Sequence, residues 1–334
     1  MALLALPVAL LAMTVTTAAI KVIPLDMAWD SFDDQYQGCG PAMRAQLPAL
    51  NRSELQKNPL FAKVWPEAMR EWQRRGSRLY PLSSKDQAIA IMAYTMNDLH
   101  QEFNEEVSMA GSSPLAYRDK FHFKTLHFLL TDALLTLRDS PGHKCRCVYW
   151  GVDDYTFEAN VGDTVRFGRF ASSSLCKGVA QGFGSATVFV VKTCHGGHIE
   201  RFSRVEREKE VLIPPFEKFK VTKVKGKANV QIHLKSIGTE SKYNCEWVTG
   251  GSGPKALAIS GDSSWSPQLW QGPQGSSEPQ SDEDICGHCN IYDSQDHQDT
   301  QKNKATNATT ATTATMAALV AMASMWSLWP PLAL

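Results

Sequence analysis

Arg204-Val205-Glu206-Arg207-Glu208-Lys209-Glu210-Val211-Leu212-Ile213-Pro214-Pro215 changes character at a single residue. Its first half alternates charges and, taken alone, reads as a solvated surface stretch. The abrupt switch to Val211-Leu212-Ile213 and a Pro pair places Glu208 and Glu210 at the mouth of a buried strand. Residues two apart in an extended segment point the same way, so both carboxylates are expected to face one pocket. A fixed carboxylate in a water-poor pocket stabilises developing positive charge by several kcal/mol.

Upstream and downstream of this stretch the chain is β-like from Cys145 onward. Val148-Tyr149, Thr164-Val165-Arg166-Phe167, Thr187-Val188-Phe189-Val190-Val191, Phe219-Lys220-Val221 and Val230-Gln231-Ile232-His233-Leu234 are β-branched or aromatic runs separated by Gly and polar turns. From residue 27 to 140 the apolar spacing is instead helical: Leu60, Phe61, Val64, Trp65, Met69 and Trp72, then Ile89 to Tyr94, then Phe121 to Leu137. The fold class read from this order is α+β, with a helical N-terminal part packed on a mixed β-sandwich. No internal repeat is visible. Gly250 to Lys304, rich in Gly, Ser, Pro, Gln and Asp, cannot bury enough apolar surface to offset its ordering entropy and reads as a stalk.

Across 334 residues, 34 basic and 34 acidic side chains cancel, and 43% of the chain is apolar. A zero net charge argues against a nucleic-acid partner, which calls for a basic face. Residues 1–19 form a short apolar run ending in small residues, the pattern of a cleaved secretory signal, with cleavage expected near Ala18 or Ala19. At the other end a Thr/Ala/Asn spacer leads into the apolar run Met316 to Leu334, which fits a GPI-attachment signal; Pro330 and Pro331 and the lack of a basic flank weigh against a tail-anchored span. Eight cysteines suit the oxidising compartment this implies. Cys286-Gly287-His288-Cys289 resembles half a zinc site, but no second ligand pair stands at zinc-finger spacing, and no metal is expected. Asn51-Arg52-Ser53 and Asn307-Ala308-Thr309 are glycosylation sequons.

Several motifs together carry a resemblance: Ser31-Phe32-Asp33-Asp34-Gln35-Tyr36-Gln37-Gly38-Cys39, Ala93-Tyr94-Thr95, Val165 to Leu175 with its Ser172-Ser173-Ser174, Glu208 to Glu217, and Ser241-Lys242-Tyr243-Asn244-Cys245. Between Asp26 and Cys245 the chain resembles the vertebrate arginine-specific ecto-mono-ADP-ribosyltransferases. The resemblance implies a core that binds NAD as co-substrate and transfers ADP-ribose to an arginine-bearing protein outside the cell, by a mechanism needing no metal. It gives Glu210 the task of stabilising the cleaved ribose, Glu208 that of orienting and helping to deprotonate the acceptor guanidinium, and Ser172 that of orienting Glu210. Tyr94, Gln181, Phe183 and Ser203 match positions lining the NAD pocket; an ordinary core or surface role is the competing reading for each. It also implies the pairs Cys39–Cys245 and Cys145–Cys194, leaving Cys147 and Cys176 to pair with each other or stay free. The expected organisation is a signal (1–19), an ADP-ribosyltransferase domain (20–249; helical 27–140, β-rich 145–249), a stalk (250–306) and a GPI-attachment signal (307–334). The mature protein would be a monomer held on the outer leaflet by its lipid.

One position departs from the pattern. Where the family has Val, an aromatic, Arg and Gly, this chain has Val148-Tyr149-Trp150-Gly151. A guanidinium gripping the dinucleotide contributes about 1.5–3 kcal/mol, or roughly ten- to a hundredfold in affinity. Trp150 is expected either to stack on the nicotinamide ring or to fill a gap in the sandwich, and Arg146, Arg166 and Arg169 are the nearby candidates to compensate. Two rival functions follow: an inactive surface binding module with the same fold, and an NAD glycohydrolase in which water replaces arginine. Glu208, which serves the acceptor, favours the transferase.

Overall fold

The computed structural model describes residues 21–250, save 97, 98, 154, 227 and 228. The signal, the stalk, the GPI-attachment signal, Asn307, Cys286 and Cys289 lie outside the described residues. Among the described residues no helix is long and apolar enough to cross a membrane, and no His, Cys, Asp and Glu cluster could hold a metal ion.

After a short edge strand, β1 (Lys21–Pro24), come helices α1 (Gly40–Lys57), α2 (Pro59–Arg74), α3 (Lys85–Tyr94), α4 (His100–Ala110) and α5 (Lys124–Arg138). Local chemistry sets their ends. Asn58 accepts a hydrogen bond from the Phe61 amide, with Pro59 at the first helical position of α2, and Ser84 caps α3 through the Gln87 amide. The start of α5 is capped from a distance: buried Glu54 on α1 accepts from the Lys124 and Thr125 amides at 2.6 and 2.9 Å. That cap is why the predicted helix from Phe121 begins only at Lys124. Helix α3 is buried from Gln87 to Tyr94, as its small and apolar residues allow, and forms the centre of the helical core with Phe61, Phe103, Phe128 and Leu130.

The β-rich half contains β2 (Arg146–Val152), β3 (Tyr155–Glu158), β4 (Thr164–Val165), β5 (Ala171–Ser174), helix α6 (Lys177–Phe183), β6 (Thr187–Thr193), β7 (Gly197–His198), β8 (Glu210–Ile213), β9 (Glu217–Lys225) and β10 (Val230–Thr239), followed by the short α7 (Glu246–Thr249). β1 and β3 pair alone; the other eight form one mixed sheet in the order β4-β9-β10-β6-β2-β5-β8-β7. The predicted sandwich is therefore a single sheet that nearly parts. β2 and β5 share one paired position, Tyr149 with Ser174, while Val148, Phe189 and Ile232 from one side meet Ala171, Val211 and Ile213 from the other in a common apolar cluster. Beyond Val165 the predicted run 164–167 leaves the sheet. Buried Arg166 turns to Asp33, with Nη1 2.6 Å from Oδ2, and donates to the carbonyls of Met27 and Glu240.

The Ser31–Cys39 motif ties the two ends of the domain together. Asp33 accepts from the Lys242 and Tyr243 amides, Asp34 from those of Tyr36, Cys245 and Glu246, and Cys39 is bonded to Cys245. Cys145–Cys194 links the approach to β2 with the end of β6. Cys147 and Cys176 are disulfide-bonded as well, and the register that opposes Tyr149 to Ser174 also sets 147 against 176.

Candidate active site

Glu210, the first residue of β8, is buried where β8 meets β5. Both of its carboxylate oxygens are engaged: Ser172 Oγ donates to Oε1, and Ser203 Oγ donates to Oε2 at 2.8 Å. Burial pushes its pKa up, and the two hydroxyls oppose that by stabilising the charged form. The two hydroxyl donors hold the carboxylate in place while leaving it able to face a positive charge arriving from outside.

The support behind Ser172 is a backbone clamp. Tyr94 OH, at the end of α3, donates to the Phe170 carbonyl at 2.8 Å; Asn104 on α4 donates to the same oxygen at 3.0 Å and accepts from the Phe170 amide at 3.1 Å. These buried helix residues set the entry of β5 two residues before Ser172. Burial, followed by the nearby Glu210, raises the Tyr94 pKa, so the phenol stays protonated as the donor this contact needs. Asn104 was not anticipated; its signal in the sequence is a single amide on the otherwise apolar inner face of α4.

Glu208 stands beside Glu210, but not in the extended segment anticipated. It ends a 3-10 turn, Glu206–Glu208, and Lys209 is left-handed at φ 45° and ψ 50°. A kink, rather than strand alternation, sets the relation of the two carboxylates. Ser174 Oγ holds the kink by donating to the Glu208 carbonyl at 2.7 Å. The Glu208 carboxyl is raised to about 7, first by burial and then by Glu210, with Arg207 acting in the opposite direction. Near neutral pH it therefore exists in both protonation states, as a proton-accepting group should.

Trp150 on β2 is half-buried and packed. Its ring stacks on Phe189 with centroids 5.2 Å apart and planes 19° apart, and meets Phe167 edge-on at 5.2 Å. Tyr149 opposes Ser174, which opposes Glu210, so strand alternation turns Trp150 to the other side, with Val148 and Val211. The gap-filling reading describes this placement. Arg166 is committed to Asp33 and cannot replace a guanidinium at position 150. Arg169, half-buried in the approach to β5, feels Tyr94, Glu105 and Tyr155.

Gln181, exposed, and Phe183, half-buried, end α6, which lies directly on β2. A Cβ on Gly151 would sit 2.3 Å from the Ala180 and Gly184 carbonyl oxygens, so only glycine permits this approach. The structure thus joins Ser172, Ser203, Glu208, Glu210 and Tyr94 at one place, and sets Trp150, Gln181 and Phe183 on and beside the neighbouring strand.

Residues 25–242 match the family model described as NAD:arginine ADP-ribosyltransferase. Among similar proteins, the erythroblast NAD(P)(+)--arginine ADP-ribosyltransferase of Gallus gallus is 48% identical over 235 residues, covering 69% of this chain and 77% of its own length. The GPI-linked NAD(P)(+)--arginine ADP-ribosyltransferase 1 of Homo sapiens is 44% identical over 244 residues, covering 68% of this chain and 75% of its own. The crystal structure of the eucaryotic mono-ADP-ribosyltransferase ART2.2 superposes with a TM-score of 0.59 at 35% identity, covering 67% of this chain and 98% of that one. Mutants of that protein have been crystallised with NADH and with NAD.

Proposed function

Because this chain belongs to the NAD:arginine ADP-ribosyltransferase family, we propose that it transfers ADP-ribose from NAD to arginine side chains of extracellular or surface proteins, with Glu210 as the central catalytic group. The observation that carries this reading is the Glu210 carboxylate, held at both oxygens by Ser172 and Ser203, with Glu208 beside it.

The bond from nicotinamide nitrogen to ribose C1′ breaks, and its electron pair leaves with the nicotinamide. Positive charge spreads over the sugar, and Glu210, already desolvated, stabilises it without reorganising. A guanidinium nitrogen of the acceptor then attacks C1′ and gives up a proton, for which Glu208, with its carboxyl near 7, is the base. Tyr94 and Asn104 keep β5 in place, and α6 with Gln181 and Phe183 would border the dinucleotide. Trp150 supplies packing where the family's guanidinium would bind NAD, so weakened NAD affinity is expected. The GPI-linked relatives, the apolar ends of the sequence and the bonded cysteines support a place on the outer leaflet, and the reading goes with a monomer whose sequons at Asn51 and Asn307 carry glycans.

Labelled NAD and agmatine, a free guanidinium acceptor, test this with the ectodomain and a Glu210→Gln control. Labelled agmatine that vanishes with Glu210→Gln is the expected result. Free ADP-ribose alone would make the protein a glycohydrolase, and absence of both product and NAD binding would leave the inactive binding module.

A further inference from the structure

The loop that delivers Glu208 also walls a positive cleft. Arg74, Arg75, Arg78, Val205, Glu206 and Arg207 line about 420 Å³ of open space between the end of α2 and the residues just before Glu208. The lining carries four guanidiniums and one carboxylate. With Glu71 behind it the cleft remains net positive. Arg75 builds the wall: its Nε bonds Glu71 at 2.7 Å, and its two terminal nitrogens donate to the Ser203 and Arg204 carbonyls at 2.8 and 2.6 Å. Arg204 closes the arrangement through its guanidinium, which donates to Glu71, and through its backbone amide, which donates a hydrogen bond to Thr95 Oγ1. The cleft is thus anchored to the segment that begins with Ser203, the residue holding Glu210.

Arg78 and Arg207 are exposed, the Arg78 side chain to 58%, whereas Arg74, 68% exposed, has its fork closed on Glu71 at 2.8 and 2.7 Å, which leaves Arg78 and Arg207 to meet a ligand. Arg78 lies 3.6 Å from Glu206, a loose surface pair that a better-placed carboxylate can displace. Arginine forks match carboxylates in bidentate fashion. Resting on the arginine-transferase reading above, we infer that this cleft selects acceptors whose target arginine has Asp or Glu two or three residues away.

Distance favours a peptide. Arg207 is the immediate neighbour of Glu208, and an extended acceptor advances about 3.3 Å per residue. An acceptor that runs from Glu208 along Arg207 and Glu206 sets side chains two or three positions away, roughly 7–10 Å along, over the cleft. Val205 to Arg207 lead into the acceptor carboxylate itself, which places the cleft on the acceptor side of the loop.

The test uses peptides with one arginine flanked by Asp/Glu, by Asn/Gln or by Lys, with agmatine as reference in every preparation. The expected kcat/KM favours the acidic peptide over the neutral one by about tenfold, mostly in KM, and the preference collapses in about 1 M salt, where screening acts within ~3 Å. Arg78→Glu, and the milder Arg78→Gln, normalised to agmatine turnover by the same preparation, reduce that ratio about three- to tenfold. Equal use of the three peptides overturns the inference. So do variants that alter KM for NADP while leaving peptide selectivity intact, because the cleft would then serve a nucleotide phosphate. Failure to modify agmatine overturns the transferase reading and the inference with it, whereas agmatine transfer without peptide preference removes the inference alone.

Discussion

Glu208 and Glu210 stand two residues apart in sequence, but their surroundings give them different tasks. Glu210 has two serine hydroxyls favouring its charged form, whereas Glu208 has burial and a like charge acting against it. For transfer to agmatine, kcat/KM should rise with pH through about 7 as Glu208 ionises, and Glu208→Gln should flatten that limb while NAD hydrolysis persists; a pH–rate profile of both enzymes checks this. Stability moves the other way. A carboxyl raised to about 7 in the fold from an ordinary 4.5 favours folding below 4.5 and loses that contribution as pH rises to about 7, so Glu208→Gln should melt above wild type at pH 8. At Trp150 two effects oppose each other. Trp150→Arg restores the family's guanidinium, and a tightening of NAD binding by about ten- to a hundredfold would show that a side chain here reaches the dinucleotide although the strand register turns position 150 away from Glu210. The same substitution should lower the melting temperature, because the stack on Phe189 and the edge contact with Phe167 are lost. NAD titration and thermal unfolding of the same variant separate the two effects.

Among the elements, α6 and β2 meet backbone to backbone. Gly151 and Gly184 let backbone lie on backbone, and a Cβ at either would meet main-chain atoms rather than a yielding side chain. Gly151→Ala should therefore destabilise by about 1–3 kcal/mol, seen in urea unfolding, and weaken NAD binding by lifting Gln181 and Phe183 off β2. The sequence marked β6 and β10 through runs of five β-branched, aromatic or apolar-alternating residues, and caught only parts of β2, β8 and β9 through shorter ones. It marked neither α6 nor α4, whose polar residues and short spans carry little periodic signal. The Glu206–Glu208 turn escaped it too. A left-handed lysine has no compositional signature, and its conformation is imposed by hydrogen bonds such as Ser174 to the Glu208 carbonyl.

Across the whole molecule, Asp33 and Arg166 join the N-terminal segment, the approach to β5 and the strand end at Glu240 around one fully buried ion pair. Asp33→Ala leaves a guanidinium buried without its anion and should cost about 3–5 kcal/mol, measured by chemical unfolding with the disulfides intact. What the sequence by itself determined was the α+β division and the family motifs; the resemblance those motifs carry implied the pairs Cys39–Cys245 and Cys145–Cys194, which the structure contains, and singled out Ser172, Glu208 and Glu210 as candidates. Those are local patterns, or short motifs held in fixed order along the chain. Tertiary structure alone decided that Ser203 takes the second oxygen of Glu210, that Asn104 steadies Phe170, that Arg166 serves Asp33, and that Trp150 packs against phenylalanines. Each of these contacts joins residues remote in sequence or set by strand register, and only the folded chain determines which polar atoms lose water together and must satisfy one another.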